Sequence, residues 1–403
     1  MLLGIRIKNY SLFLDDRAGA LLEDYLSGGV NNGAAMSAGL PAIIPMSSLN
    51  AVIGRNQSGK STFFDCLSFI SDAVSKGCVE ASVIRGRSGF SRLISQGADS
   101  MSFELLFFMS NGHNPALPDE FYVSYSFSLR PDGNGKPSFI SENVRYTTRP
   151  EHKDSYKTVL SVENGTGRVY FSDIAMEASL SDSRHSALRT YGNILQCPVL
   201  NALLDEMTKW FFCRFSVSKA ENGMKQKVAP GAHKHLNSDG SNMKNVLDYL
   251  SKENPKQYRR LMDRLSEKIP KVGRVMDKLP DDFRSSPNRL FLYLLLLHDP
   301  VPRPLICIET PDLELYHDMV DVLSAEFRDY SIRNPYSQII FSTHNPYILE
   351  AMAPNEVWIF KRSDEEEPDS VDIRCAGADP VVSEMYEQGV GMGAMWYSGH
   401  FDD

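Results

Sequence analysis

Apolar residues in this chain follow two different rhythms. Between 101 and 172 they alternate with polar ones, in SFELLFFM, FYVSYSFSL, FISENVRYTT and SVENGTGRVYF. Period-two runs separated by turn residues predict an antiparallel β layer, with a tight hairpin at Asn164-Gly165. From 289 onward the pattern alternates helix (RLFLYLLLLH), strand (PLICIE), helix (ELYHDMVDVLSAEF), strand (SQIIFST), helix (PYILEAM) and strand (EVWIFK). That alternation predicts a parallel sheet with helices packed on it. Near the start, IRIKNYSLFL reads as a first strand, LNAVI (49–53) as a short buried strand and FFDCLSFISDAV (63–74) as a helix. Residues 185–275 have helical spacing, for example in SNMKNVLDYLSKENPKQYRRLMDRLSEKI. Residues 15–41 run through SGGVNNGAAMSAG and predict a flexible insertion.

Composition narrows the class. The 403 residues are 42% apolar and 23% charged, as expected of a soluble globular protein with a large core. A net charge of −9 supplies no global field for nucleic acid. Six scattered cysteines without a C-x-x-C pair argue for a reducing compartment and against a disulfide frame or zinc site. The N-terminus lacks the pattern of a signal peptide, and the apolar run Leu290 to Leu297 is too short to span a bilayer. The expectation is a cytoplasmic protein that does not enter the membrane. The acidic run DEEEPD (364–369) reads as a solvated loop.

Candidate chemistry centres on GRNQSGKST, residues 54–62, which fits G-x-x-x-x-G-K-[ST] between a predicted strand and a predicted helix. Gly54 and Gly59 let the backbone curl so that the N–H groups of Arg55, Asn56, Gln57 and Ser58 face phosphate oxygens. Lys60 brings a charge to the β/γ-phosphates, Ser61 offers a hydroxyl to Mg²⁺, and Thr62 continues into a helix whose positive end faces the anion. Glu309 ends the strand PLICIE, where a carboxylate can hold Mg²⁺. FSTHNPYIL places Ser342, Thr343 and His344 at the carboxyl end of the next strand. Ligands bind at that edge of a parallel sheet, so His344 is expected to sense the γ-phosphate.

About 250 residues separate Lys60 from Glu309, room for whole subdomains between two halves of a nucleotide fold. This layout resembles the RecF/SMC-like branch of ABC-type ATPases, often labelled AAA-family ATPases in bacterial genomes. Lys8-Asn9-Tyr10, SFELLFF with YSFSL, SALRTYGNILQCPVLNALLDEMTKWFF, HKHLNSDGSNMKNVLDYLSKENPKQYRRLMDRL and the tail EQGVGMGAMWYSGHFDD are similar to that family as well. The resemblance implies an α/β fold: an ABC-type P-loop NTPase core, mostly parallel with flanking helices, plus an antiparallel β subdomain and a helical lobe. It divides the chain into a first half of the core (1–78, with the 15–41 insertion), the β subdomain (79–180), the helical lobe (181–288) and the second half of the core (289–403). It further implies ATP and Mg²⁺ as ligands and a homodimer or higher homo-oligomer. A separate effector, a nuclease or toxin, is the implied partner in anti-phage defence; other relatives act in DNA repair, which leaves nucleic acid open.

Two departures from that pattern bear on activity. The family carries two consecutive acids before the proline, whereas Glu309-Thr310-Pro311-Asp312 keeps only the first. Threonine cannot accept a proton near neutral pH, and losing a positioned base costs about 10²–10⁴-fold in rate. Asp312 could substitute only by reaching back two residues, and the turn is expected to aim it elsewhere. The serine-glycine signature before the apolar helix is replaced by Ser285-Ser286-Pro287-Asn288, where proline removes an N–H donor. Gln96 is the one candidate for the family's metal-sensing glutamine. Together these predict a subunit that holds ATP and hydrolyses it poorly, acting as a scaffold or switch. The alternatives are a working ATPase with a non-standard base, and a DNA-binding module with a structural nucleotide site. For the last, the basic residues of 256–274 spread around a helix with Asp263 and Glu267 interleaved, which reads as a solvated face. His233 and His235 read as loop residues, and no effector motif is visible in the chain.

Overall fold

The computed structural model describes residues 1–30, 43–171, 174–194, 197–213, 215, 234–268, 286–313, 315–363 and 370–401. Among them, two sheets carry the architecture. The first is an antiparallel layer of eight strands in the order β2-β1-β4-β5-β6-β7-β8-β9. Its members are β1 (Leu2–Tyr10), β2 (Phe13–Gly19), β4 (Met101–Ser110), β5 (Glu120–Pro131), β6 (Pro137–Thr147), β7 (Lys157–Glu163), β8 (Thr166–Phe171) and β9 (Ile174–Ser179). The period-two runs thus form the predicted layer. Asn164 and Gly165 both take positive φ (48° and 81°), the mirror-image turn that joins β7 to β8 without splaying them.

The second sheet has the order β10-β11-β12-β3-β13-β14, built from β10 (Phe211–Cys213), β11 (Leu305–Glu309), β12 (Gln338–Ser342), β3 (Leu49–Ile53), β13 (Val357–Arg362) and β14 (Val371–Cys375). All its pairings are parallel except that of β13 with β14. Its parallel strands are buried on both faces over most of their length, which is why they read as continuous apolar runs. On β3, Val52 joins a core shared with the eight-stranded sheet and the helix Lys60–Lys76. Leu49, Ala51 and Ile53 face the opposite core, with the helices Ser286–Leu297 and His317–Arg333. Leu290 to Leu297 are all buried, so that helix is apolar all round because protein covers every side.

Polar side chains stitch the sheets together. The Gln338 amide donates to Leu2 O (2.9 Å) and Ser47 O (2.8 Å), and its Oε1 accepts from Leu2 N (3.2 Å). Two expectations need correction. The start of the 15–41 segment is regular: β2 pairs along β1, and Leu22–Leu26 is a helix with Ala18, Ala20, Leu21 and Leu22 buried. Residues 31–42 lie outside the described ones. Within 185–275, read as helical, Phe211–Cys213 is instead an edge strand beside β11; its three residues are too few to show a period. Helices do form at Pro198–Thr208, Met243–Glu253 and Pro255–Lys268. No helix among the described residues is long and apolar enough to cross a membrane.

Candidate functional site

The segment between β3 and the helix Lys60–Lys76 forms a phosphate-binding loop. Gly54, Gln57 and Gly59 have φ of 144°, 65° and 93°, which curls successive N–H groups inward. Both glycines are also required by space. A Cβ on Gly54 would lie 2.2 Å from Phe360 O, and one on Gly59 would lie 2.9 Å from Val371 Cγ2. No side chain caps the helix at Gly59, so its first N–H groups are left for an anion. Lys60 is buried and folds onto its own loop, donating to Gly54 O (2.8 Å) and Arg55 O (2.7 Å). Burial lowers its pKa to about 8. Arg55, Asn56, Gln57 and Ser61 are exposed, Thr62 is half-buried and Ser58 is buried. The loop also walls a cavity completed by Lys361, Arg362, Trp396 and Phe401.

The ends of β11 and β12 meet this loop. Their parallel register sets Glu309 opposite Ser342, and Thr343 N donates to Val52 O of β3 (3.2 Å). Glu309 is exposed at the strand end and shares a cavity with Phe64, Asp65 and Ser68 of the loop's helix. His344 is exposed, and burial together with nearby Lys60 pulls its pKa below the usual value while Asp312 opposes the shift. Lys60, His344 and Asp312 therefore converge, from three elements. Ser61 and Glu309 are exposed oxygen donors at the same edge, and the Glu309 carboxylate takes no hydrogen bond or ion pair among the described residues. A hard cation such as Mg²⁺ fits that donor set.

Thr310 breaks the local rule. A β-branched residue rarely takes positive φ, yet Thr310 has φ 44°, a strain of about 1–3 kcal/mol. Its N–H donates to both Ser342 O and Ser342 Oγ at 3.1 Å, which holds it there. Asp312 follows two residues later. The carboxylate lies half-buried beside the Thr343 hydroxyl and near His344, with Oδ1 buried and without a hydrogen-bond partner.

Behind the loop lies an ionic cluster that sequence reasoning missed. Arg87, 8% exposed, donates to Asp65 Oδ1 (2.9 Å), Asp65 O (3.0 Å), Asp72 Oδ2 (3.1 Å), Ala81 O (2.9 Å) and Ser68 Oγ. Tyr10, from the end of β1, donates to Asp65 Oδ2 (2.7 Å), and Arg85 donates to Asp72 Oδ2 (2.6 Å). The available signal was the pair Asp65 and Asp72, seven apart on one helix face and the only charged residues between Lys60 and Lys76.

Other candidates fall elsewhere. Gln96 is exposed in a turn next to Ser95, whose N–H donates to Asn9 O, and no contact among the described residues joins it to Lys60, Glu309 or His344. Ser285 lies outside the described residues, as do the side chains of Ser286, Pro287 and Asn288. His233 and residues 269–274 also lie outside them; His235 pairs with Asp299 (2.9 Å). Lys256, Arg259, Arg260, Asp263 and Glu267 are all exposed.

The family model described as "AAA domain, putative AbiEii toxin, Type IV TA system" matches residues 49–154 and 244–350, just over half of the chain. The matched stretches carry the phosphate loop, Glu309 and His344. The chain belongs to this family. Its fold is that of the SMC-head, ABC-type P-loop NTPases. An SmcHead bound to the C-winged helix domain of ScpA superposes with a TM-score of 0.50 at 13% identity, over 93% of this chain and 97% of that one. The SMC head domain from Thermotoga maritima gives 0.40 at 12% identity, over 93% and 98%. The Smc head with an extended coiled coil bound to the C-terminal domain of ScpA, derived from Pyrococcus furiosus, gives 0.43 at 15%, over 96% and 98%. No curated protein matches the chain in sequence.

Proposed function

We propose that this family member binds ATP and Mg²⁺, hydrolyses ATP slowly, and works as a nucleotide-dependent switch beside a separate effector protein. The observation that carries the reading is a contrast within one sheet edge. The loop, Lys60 and His344 converge as a triphosphate requires, while residue 310 is a threonine that cannot take a proton. In this reading the loop N–H groups and Lys60 hold the β- and γ-phosphates, and Ser61 and Glu309 hold the metal. Bound Mg²⁺ would neutralise phosphate charge. His344, whose pKa burial and Lys60 pull below the usual value, hydrogen-bonds the γ-phosphate and reports its presence.

ATP can shift an assembly only as far as it binds one state better than the other. Slow turnover prolongs that state, which suits a switch more than a motor. We assign the effector to another polypeptide and the setting to anti-phage defence in the cytoplasm; the toxin–antitoxin wording of the family description supports that setting. Self-association, dimeric or higher, is part of the proposal.

The test pairs Mg-ATP affinity with steady-state phosphate release for the purified protein, Lys60→Ala and Thr310→Glu. Tight binding lost in Lys60→Ala, low turnover, and turnover gained in Thr310→Glu support the switch. Release near one per second from the unmodified protein, an ordinary enzymatic rate, sinks it.

A further inference from the structure

Every sheet edge exposes a row of N–H and C=O groups that another strand can pair with, unless something guards it. Among the described residues, three of the four edges of the two sheets are guarded. β2 packs against β14, so one edge of each sheet faces the other. β10 has three residues, and the Arg303 and Arg85 guanidiniums lie over its Phe211 and Phe212 rings. The fourth edge, β9, lacks the usual guards. It contains no proline or lysine, pairs with β8 without a bulge, and carries Glu177 as its single charge. Ile174 and Met176 are 67% and 52% exposed, although they lie on the same sheet face as buried Val169 and Ala178. The apolar inner face therefore runs out into solvent at this edge.

Backbone direction shows which residues are open. The Ser179 N–H donates to the Tyr191 hydroxyl at 3.1 Å, away from β8. Such groups alternate along an antiparallel strand, so those of Ala175 and Glu177 also point outward, and among the described residues they take no partner there. Tyr191 closes the edge at Ser179, which leaves Ile174 to Ala178 open, a stretch centred on Met176. We propose that β9 pairs with β9 of a second copy of this chain, antiparallel about a two-fold axis at Met176, and joins the two antiparallel layers into one sheet. The inference gives a surface to the self-association proposed above and needs no nucleotide. Pleating admits only registers that set inner residues opposite inner ones. Centring on Met176 pairs Ile174 with Ala178 of the second copy, large against small, and Met176 with itself. On the outer face it sets Glu177 opposite Ala175, with Arg168 of its own chain directly across on β8. Centring on Glu177 instead sets two carboxylates face to face, which destabilises a pair, and brings Ala175 against Ser179, where Tyr191 stands. Centring on Ala175 carries Glu177 and Ala178 past Ile174, the end of the strand. A two-fold pairing uses both open edges and closes at a dimer.

The test uses the full chain without nucleotide, unmodified and as Met176→Cys, Glu177→Cys, Met176→Lys and Lys60→Ala. Sedimentation reads the mass, and mild oxidation followed by a non-reducing gel reads the register. All six native cysteines are buried, which keeps the background low. In the Met176-centred register the two Met176 Cα atoms lie about 4.5 Å apart, a separation that a disulfide spans. The two Glu177 Cα atoms are diagonal neighbours about 7–8 Å apart, beyond its reach. Met176→Cys should therefore give a covalent dimer, and Glu177→Cys about tenfold less of it. Met176→Lys, at a site already exposed, should keep the melting temperature of the unmodified chain and raise the dissociation constant of the dimer about tenfold or more. Lys60→Ala should dimerise as the unmodified chain does.

An unmodified chain that stays monomeric at about 100 μM, where even a small interface associates, overturns the inference. So does a dimer that Met176→Lys leaves intact, or cross-linking through Glu177→Cys but not Met176→Cys. A dimer that forms only with Mg-ATP and is lost in Lys60→Ala overturns it too, while leaving the nucleotide reading standing. A dimer cross-linked through Met176→Cys supports it whether or not the chain binds Mg-ATP, so the two readings can fail separately.

Discussion

Replacing Arg87 with methionine should destabilise the fold by about 3–4 kcal/mol. The guanidinium is almost fully buried and holds two carboxylates of the loop's helix, Asp65 and Asp72, together with Ala81 O. Breaking a buried ion pair by deleting one partner costs about 3–5 kcal/mol, because a charge is left uncompensated. Here the lower end applies to the acids, since Asp72 keeps Arg85 and Lys76 (3.1 Å) and Asp65 keeps Tyr10. Burial works against the Asp72 charge, yet those cations still hold its carboxyl below the usual range. The orphaned Ala81 carbonyl adds about 1 kcal/mol. An unfolding entropy of about 2.1 cal/mol/K per residue gives roughly 0.85 kcal/mol/K for 403 residues. The melting temperature should therefore fall by about 4 °C in calorimetry, provided the chain melts as one unit. A buried pair is little screened, so the difference should survive about 1 M salt. Adding Asp72→Asn should recover part of the loss. A variant that melts within about 1 °C of the parent, or a difference abolished by salt, would refute the reasoning.

Lys60→Ala should weaken Mg-ATP binding by about 10–150-fold, the value of 1.5–3 kcal/mol for a hydrogen bond from a charged donor; equilibrium dialysis with labelled ATP measures it. Thr310→Glu should raise phosphate release by about 10²-fold, and no gain in a coupled phosphate assay would mean that the missing base is not what limits turnover. Asp16 is pushed up to about 6 by burial, with Asp372 and Asp15 adding repulsion. A carboxyl whose folded pKa is raised destabilises the charged form, so the penalty is full above about pH 6 and fades as pH falls toward the unfolded value near 4. Asp16→Asn should accordingly stabilise the protein by about 1–2 kcal/mol at pH 8, after allowing for solvent screening, and by nothing at pH 4; urea melts at both values decide it.

Much of this was legible in the sequence because it was periodic or locally spaced. The alternating runs gave the antiparallel layer, and the spacing of loop, Glu309 and His344 placed three elements at one sheet edge. What escaped depended on single dihedrals or distant partners. The turn after β11 depends on one residue, Thr310, at φ 44°, and propensity argues against that for a threonine. Arg87 finds Asp65 across 22 residues, a pairing no window detects. Phe211–Cys213 belongs to the sheet only because β11 runs beside it.

Where the two sheets meet bears on whether a nucleotide can act as a switch. The eight-stranded layer packs along the loop's helix, with Phe69 at mid-helix against Tyr10 of β1 and Phe103 of β4, and two further contacts lie near the helix's N-terminal end. Tyr10, at the end of β1, bonds Asp65, one and a half turns into the helix that begins at Lys60. Phe13, at the start of β2, packs its ring against Phe63 and Phe360, with centroids 6.4 and 6.5 Å away, while Val371 of β14 covers Gly59. Close-packed interiors resist small volume changes, so a shift of the loop must be passed to β1, β2 and β14 rather than absorbed between them. Lys60 must also exchange its bonds to Gly54 O and Arg55 O for phosphate oxygens when ATP enters, which frees two loop carbonyls at this joint. In the proposed switch, nucleotide occupancy would be coupled to how the antiparallel layer sits on the parallel sheet, and slow hydrolysis would keep that arrangement long enough for another protein to read it.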